Sequence, residues 1–175
     1  MKKILETPRL MLRQFELHDA KEIWELNNDS DVIKYTGDPP FKSVKEAKLF
    51  LKNYSDYLRN GFGRWAVILK STNEFIGWCG LKLNEDAKVD IGFRFIKKYW
   101  NNGYATESAT ACLQYGFKNL ELTEIIGRAS VYNKPSIKVL ENIHMNYWKT
   151  ETYPGLGDTV YYRINHKEYF LHKIN

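Results

Sequence analysis

The sequence predicts a mixed α/β fold, a mixed sheet with helices packed against it, and two stretches carry that prediction. Residues 65–69, 75–83 and 89–96 are rich in β-branched and aromatic side chains and are separated by Ser71-Thr72-Asn73-Glu74 and Asn84-Glu85-Asp86-Ala87, the pattern of an antiparallel meander. Behind the third run come a turn with a glycine, a helical repeat and another strand-like run. A meander feeding a strand-helix-strand unit implies a mixed sheet.

In chain order, residues 10–15 read as a first strand, and Asp19 reads as the N-cap of a helix carrying Ile23, Trp24 and Leu26. A turn-rich gap at Gly37-Asp38-Pro39-Pro40 follows. Ser43 and Glu46 have capping-box spacing, and Ala47, Phe50, Leu51, Tyr54 and Leu58 recur behind them at helical period. Beyond the meander, Ala105, Ala109, Cys112, Leu113, Gly116, Phe117 and Leu120 mark a helix and residues 124–131 a strand. Asn133, with Pro135 in the first turn, opens a helix through Ile137, Leu140 and Ile143, and residues 159–164 form a late strand.

Bulk properties set the bounds. The chain has 175 residues, 43% hydrophobic and 27% charged, which predicts one compact domain over residues 1–175, and 15% aromatic content argues against disorder. The net charge of +5 is interleaved with acids rather than gathered into a block, so no nucleic-acid partner is expected. A multiply phosphorylated cofactor fits that excess as well as ordinary solubility charge does. Cys79 and Cys112 lie among apolar neighbours and read as small buried hydrophobes, not as a disulfide pair or ligands. His18, His144, His166 and His172 lack ligand spacing, so no metal is expected. With no signal-like start and no membrane-length apolar run, the expected location is cytoplasmic.

The most informative segment is Asn101-Asn102-Gly103-Tyr104-Ala105-Thr106. Asn and Gly tolerate unusual backbone angles, so successive amide hydrogens can converge on an anion, and the helix N-terminus behind them adds partial positive charge. The same residues also suit a plain strand-to-helix turn. Neither G-x-G-x-x-G nor G-x-x-x-x-G-K-[ST] is present, which argues against dehydrogenase and P-loop chemistry.

Residues 91–96 followed by Tyr99-Trp100-Asn101-Asn102-Gly103-Tyr104-Ala105-Thr106-Glu107 resemble motif A of the GNAT acetyltransferases. Thr7-Pro8-Arg9-Leu10-Met11-Leu12-Arg13 resembles the opening of the branch containing ribosomal-protein N-terminal acetyltransferases, and Asn133-x-x-Ser136-x-x-Val139-Leu140-Glu141 resembles its motif B. The resemblance covers nearly the whole chain and implies a mostly antiparallel mixed sheet with helices on both faces. Two departures stand out. Trp100 and Asn101 occupy places where Gln or Arg and a glycine are usual, and Asn142-Ile143-His144-Met145 stands where the family has Lys-Leu-Gly-Phe.

The resemblance further implies acetyl-CoA as cosubstrate, with the backbone of Phe95 and Ile96 pairing with its pantetheine arm. Asn101, Asn102, Gly103, Tyr104, Ala105 and Thr106 would hold its pyrophosphate, and Asn133 would be a hydrogen-bond partner. An amine would attack the thioester directly, with Asp90 as general base and Ser136 as general acid. Without the resemblance, Asp90 reads as a strand-end carboxylate, Asn133 as an N-cap and Ser136 as a first-turn residue. An α-amine of pKa ~8 is roughly a tenth neutral at pH 7 and a lysine-like amine of ~10.4 below about a thousandth, so a base matters more for the latter. The acceptor expected is a protein N-terminal amine or a small amine such as a polyamine or antibiotic; a coenzyme A-binding sensor is the non-catalytic alternative. Exposed sheet edges also admit a homodimer.

Overall fold

In the computed structural model, which describes residues 2–171, one sheet of eight strands carries every other element. The strands are β1 (Lys3–Glu6), β2 (Leu10–Arg13), β3 (Arg64–Leu69), β4 (Glu74–Leu83), β5 (Val89–Phe95), β6 (Glu124–Ser130), β7 (Asn146–Tyr153) and β8 (Gly157–Asn165), in spatial order β1-β2-β3-β4-β5-β6-β8-β7. All neighbours are antiparallel except β5 and β6. That one parallel pair follows from the crossover through α5 (Tyr104–Lys118), since a parallel partner cannot be reached by a tight turn. The meander and the strand-helix-strand unit thus fold as the sequence predicts.

Alternation along the strands builds two cores. On one face Trp65, Val67, Cys79, Leu81 and Ile91 meet Ala109, Cys112, Leu113 and Phe117 of α5, joined by Leu140 of α6 (Lys134–Asn142). Full burial of a side chain the size of Leu113 or Phe117 contributes roughly 1.5–3 kcal/mol. On the other face Ala66, Ile68 and Trp78 are covered by Ile23 and Leu26 of α1 (Ala20–Asn28), Val32 of α2 (Ser30–Ile33) and Ala47 and Leu51 of α3 (Val44–Asn53). Short helices α4 (Asp56–Asn60) and α7 (His166–Leu171) complete the described residues. Cys79 and Cys112 are free, buried and side by side, Sγ to Sγ 3.6 Å.

Three local expectations are corrected. Asp19 precedes α1 but does not cap it; its carboxylate takes two bonds from the Arg13 guanidinium, at 2.6 and 2.7 Å, and one from the Glu16 amide at 2.8 Å. Both side chains are buried, so removing one partner would leave the other charge enclosed and cost about 3–5 kcal/mol. Strand β7 goes unseen in the sequence because Asn146, Lys149, Thr150 and Glu151 break its apolar alternation, as suits an outer edge. The strand expected over residues 10–15 is β2, preceded by β1, and stops at Arg13, two residues early. Among the described residues no helix is long and apolar enough to cross a membrane.

Candidate active site

Strands β5 and β6 pair only at Asp90 with Ile126 and Ile91 with Gly127; beyond that point the parallel partners part. The Ile96 amide donates to Ile76 O at 3.0 Å, on the β4 side. Alternation then turns the backbone groups of Phe93 and Phe95 toward the parted edge. This corrects the expectation for Ile96, whose amide is engaged within the sheet. Phe93, overlooked in the sequence, takes its place beside Phe95. The Trp100 indole donates to Phe95 O at 2.7 Å, leaving the Phe95 amide and both Phe93 groups along the opening.

At the end of β5 the chain turns twice through the left-handed region, at Asn101 (φ 60°) and Gly103 (φ 78°). Asn101 therefore supplies the conformation of the glycine it replaces, and Asn is among the residues that tolerate it. Gly103 is the N-cap of α5 and makes no side-chain cap; the first helical bond runs from Glu107 N to Gly103 O at 3.0 Å. The amides of Tyr104, Ala105 and Thr106 precede it and lack helical acceptors, so they face outward as donors at the positive end of the helix dipole. Asn102 folds back, its amide on Trp100 O at 2.8 Å and Tyr99 O at 3.3 Å.

The N-terminal segment braces this turn. Glu107 accepts from the Thr7 hydroxyl at 2.6 Å and from the Arg9 amide and Nε at 3.0 and 2.6 Å, while Arg9 Nη1 donates to Asn102 O at 2.9 Å. Burial alone would raise the Glu107 pKa, but these donors outweigh it and hold the carboxyl below its ordinary value. The sequence suggested no more for Glu107 than a favourable charge in the first helical turn.

The opposite face of the split is made of side chains. Asp90 is partly buried and its Oδ1 is enclosed with no hydrogen-bond partner. Burial raises its pKa, opposed by the positive charges of Arg64 and Arg128 and by Asn84. Trp78 lies between two guanidinium groups, Arg64 at 4.4 Å and Arg94 at 5.4 Å from its ring centroid. A side chain at Gly92 would meet that ring at 3.2 Å. Arg94 reaches Asn27 Oδ1 at 2.5 Å and Asp38 Oδ2 at 2.6 Å, tying α1 and the following loop to the parted strand. Beside it a groove of about 490 Å³ is lined by Phe41, Phe50, Tyr54, Asp56, Arg64 and Lys82 among others.

Asn133 and Ser136 lie where β6 leads into α6. Because β5 and β6 are parallel, these residues and the Asn101–Thr106 turn flank the same end of the split. Asn133 Oδ1 caps α6 by accepting from the Ser136 amide at 3.2 Å. Ser136 is partly exposed, and among the described residues its hydroxyl has no hydrogen-bond partner. His144, where the family has a glycine, is left-handed at φ 63°. Among the described residues no cluster of three or more His, Cys, Asp or Glu could hold a metal; His172 lies outside them.

A sheet split at its one parallel pair, with helix amides lacking helical acceptors at the mouth, offers an open strand edge beside an anion-binding helix end. The chain matches a family model described as "Acetyltransferase (GNAT) domain" over residues 9–146. It is 34% identical over 142 residues to the uncharacterized N-acetyltransferase p20 of Bacillus licheniformis, covering 79% of this chain and 80% of the relative. A GNAT-family acetyltransferase from Bacillus anthracis superposes with TM-score 0.80 at 32% identity, over 94% of this chain and 99% of that one. A spermidine N-acetyltransferase from Vibrio cholerae, solved with CoA and spermine, shares the fold with TM-score 0.78 at 21% identity, over 94% and 99% of the two chains. The chain belongs to the GNAT acetyltransferase family, whose enzymes use acetyl-CoA.

Proposed function

We propose that the protein transfers acetyl from acetyl-CoA to a primary amine by direct attack in a ternary complex. The observation that carries this reading is the early parting of β5 from β6, with the uncapped amides of Tyr104, Ala105 and Thr106 at its mouth. Acetyl-CoA supplies an activated acetyl thioester and a pyrophosphate. The Phe93 and Phe95 backbone suits its amide-bearing arm, and the turn from Asn101 to Thr106 suits the pyrophosphate. Asp90 takes the proton from the incoming ammonium, and the Ser136 hydroxyl gives one to the departing thiolate, with Asn133 orienting the start of α6.

An α-amine, of a protein N-terminus or a small molecule, is the acceptor we favour. Such amines are appreciably neutral near pH 7, and the only carboxylate on the split strand sits in the field of two arginines, a poor environment for a polycation. A second reading, a small cationic amine, is favoured by the groove, where Glu46 and Asp56 accompany Phe41, Phe50 and Tyr54. Thiol release from acetyl-CoA against N-terminal peptides, amino acids, spermidine and an aminoglycoside tests both. Amine-dependent release is expected, greatest with an α-amine; binding of acetyl-CoA without release by any amine would mark a sensor instead.

A further inference from the structure

Across the acceptor face, one row of the sheet runs from Arg64 on β3 to Gly80 on β4 and Gly92 on β5. The next strand carries Arg128, two residues beyond Ile126, the partner of Asp90, and so on the same face as Asp90 and Gly92. The two glycines therefore put no side chain of their own on this row, which has Arg64 at one end and Arg128 on the strand beyond the other. A Cβ on Gly80 would lie 2.3 Å from Gly63 O, so main chain covers that glycine and excludes a larger residue, while one on Gly92 would press on the Trp78 ring at 3.2 Å and lie 3.6 Å from Arg64 Nε.

The polar groups around this row are incompletely matched. Arg64 is stacked on Trp78, and among the described residues no carboxylate lies within 4.0 Å of it. Arg128 binds Asp86 Oδ2 through Nη2 at 2.9 Å and lies against the Tyr153 and Tyr161 rings, 5.4 and 5.5 Å from their centroids, with its side chain only 9% exposed. Arg64 Nε, Arg128 Nε and Asp90 Oδ1 are all enclosed with no hydrogen-bond partner. Enclosed polar atoms in folded proteins are nearly always paired, so two donors and one acceptor left together on one face point to a missing partner carrying both kinds of group. A molecule with an amine and a carboxylate is that partner: the amine suits Asp90, and the carboxylate suits the arginines, whose planar forks match its geometry.

We propose that Arg64 and Arg128 form a carboxylate subsite for the acceptor, so that the preferred amine is one that also bears an acidic group. This rests on the reading of the Asp90 face as the acceptor side of an acetyltransferase. Arg64 and Arg128 act as positioning and specificity residues, and Asp90 remains the base. The arrangement selects an α-amino acid or an acidic N-terminal peptide over both a neutral amine and a polycation, which would face Arg64, Arg128 and Lys82 together.

The experiment is steady-state thiol release by the full chain with acetyl-CoA and three acceptors: glycyl-glutamate, its uncharged counterpart glycyl-glutamine amide, and spermidine. The kcat/KM ratio of the acidic to the uncharged peptide is expected to be about tenfold or more, arising in KM, and to collapse toward one in Arg64→Gln and Arg128→Gln. A variant damaged only in its fold lowers both peptides together and leaves the ratio standing. Arg64→Lys, which keeps charge but loses the fork, is expected to restore part of the ratio. Equal use of the two peptides by the unaltered protein, spermidine as the best acceptor, or a ratio unmoved in both variants would each overturn the subsite while leaving the transferase reading intact. No release with any acceptor would overturn both.

Discussion

At the mouth of the split, the proposed pyrophosphate site is made by the backbone of consecutive residues, 101–106, and the Asn102 side chain folds back onto the turn. On the other face, Asp90, Arg64, Arg128 and Trp78 come from four different strands and act only through their side chains. A site made of backbone tolerates sequence change as long as the dihedrals survive, and Asn101 at φ 60° is an instance. A site made of side chains fails when one of them changes. Under the proposed function, the cofactor half is thus the part more tolerant of substitution and the acceptor half the part more sensitive to it.

Mutations can break that contrast. The largest expected effect is Asp90→Asn, with turnover falling about 10²–10³-fold near neutral pH. Because burial raises the Asp90 pKa, the unaltered enzyme loses activity as pH falls through that raised value, and the variant's profile should lack this limb. The same shift gives a second readout. A carboxyl whose folded pKa lies above its unfolded value stabilises the protein fully below the unfolded pKa and loses that contribution as pH rises through the folded one. Above that raised value the buried charge is a burden to folding, so at such pH Asp90→Asn should raise Tm while lowering turnover. A fall in both would assign Asp90 a structural role.

Next comes Ser136→Ala, expected to lower kcat by up to about 10²-fold with little change in stability, since its amide and not its hydroxyl makes the cap. An unchanged chemical step in single-turnover measurements would pass the proton donation to water. Gly103→Ala should cost roughly 1–2 kcal/mol of left-handed backbone strain, read as a lowered Tm in thermal melts. The smallest effects belong to Asn101→Gly and His144→Gly, each within about 1 kcal/mol in thermal melts, because the backbone already has the glycine conformation. A large loss in either would show that its side chain, and not its φ, is what the turn requires.

The same contrast explains what could be read from the chain alone. Period-2 and period-3.6 patterns located the meander and α5, and the Asn-Asn-Gly run located the turn, because each is local in sequence. The pairing role assigned to Ile96 failed on register: one residue along a strand reverses which neighbour its amide faces, and composition carries no record of that. Arg64 gave no signal, being a cation at a strand start beside a glycine, where solvent exposure is the ordinary expectation. Arg128 did give one, a charge inside the apolar run of β6, which a buried strand accepts only when something pairs with it. Asp19 looked like a cap because Asp before a helix usually is one; the deciding partner, Arg13, lies outside the helix altogether.

The Trp100 indole on Phe95 O has a meaning beyond the site. A strand edge left unpaired in the middle of a sheet is an invitation to any extended segment, of this chain or another, to complete it. Here β6 closes that edge up to Ile91 and the indole covers the carbonyl at its far end. Between them only the few residues from Gly92 to Phe95 are left along that edge. Trp100, which stands at the start of the turn over residues 101–106, thus also takes up an acceptor that a pairing strand would need.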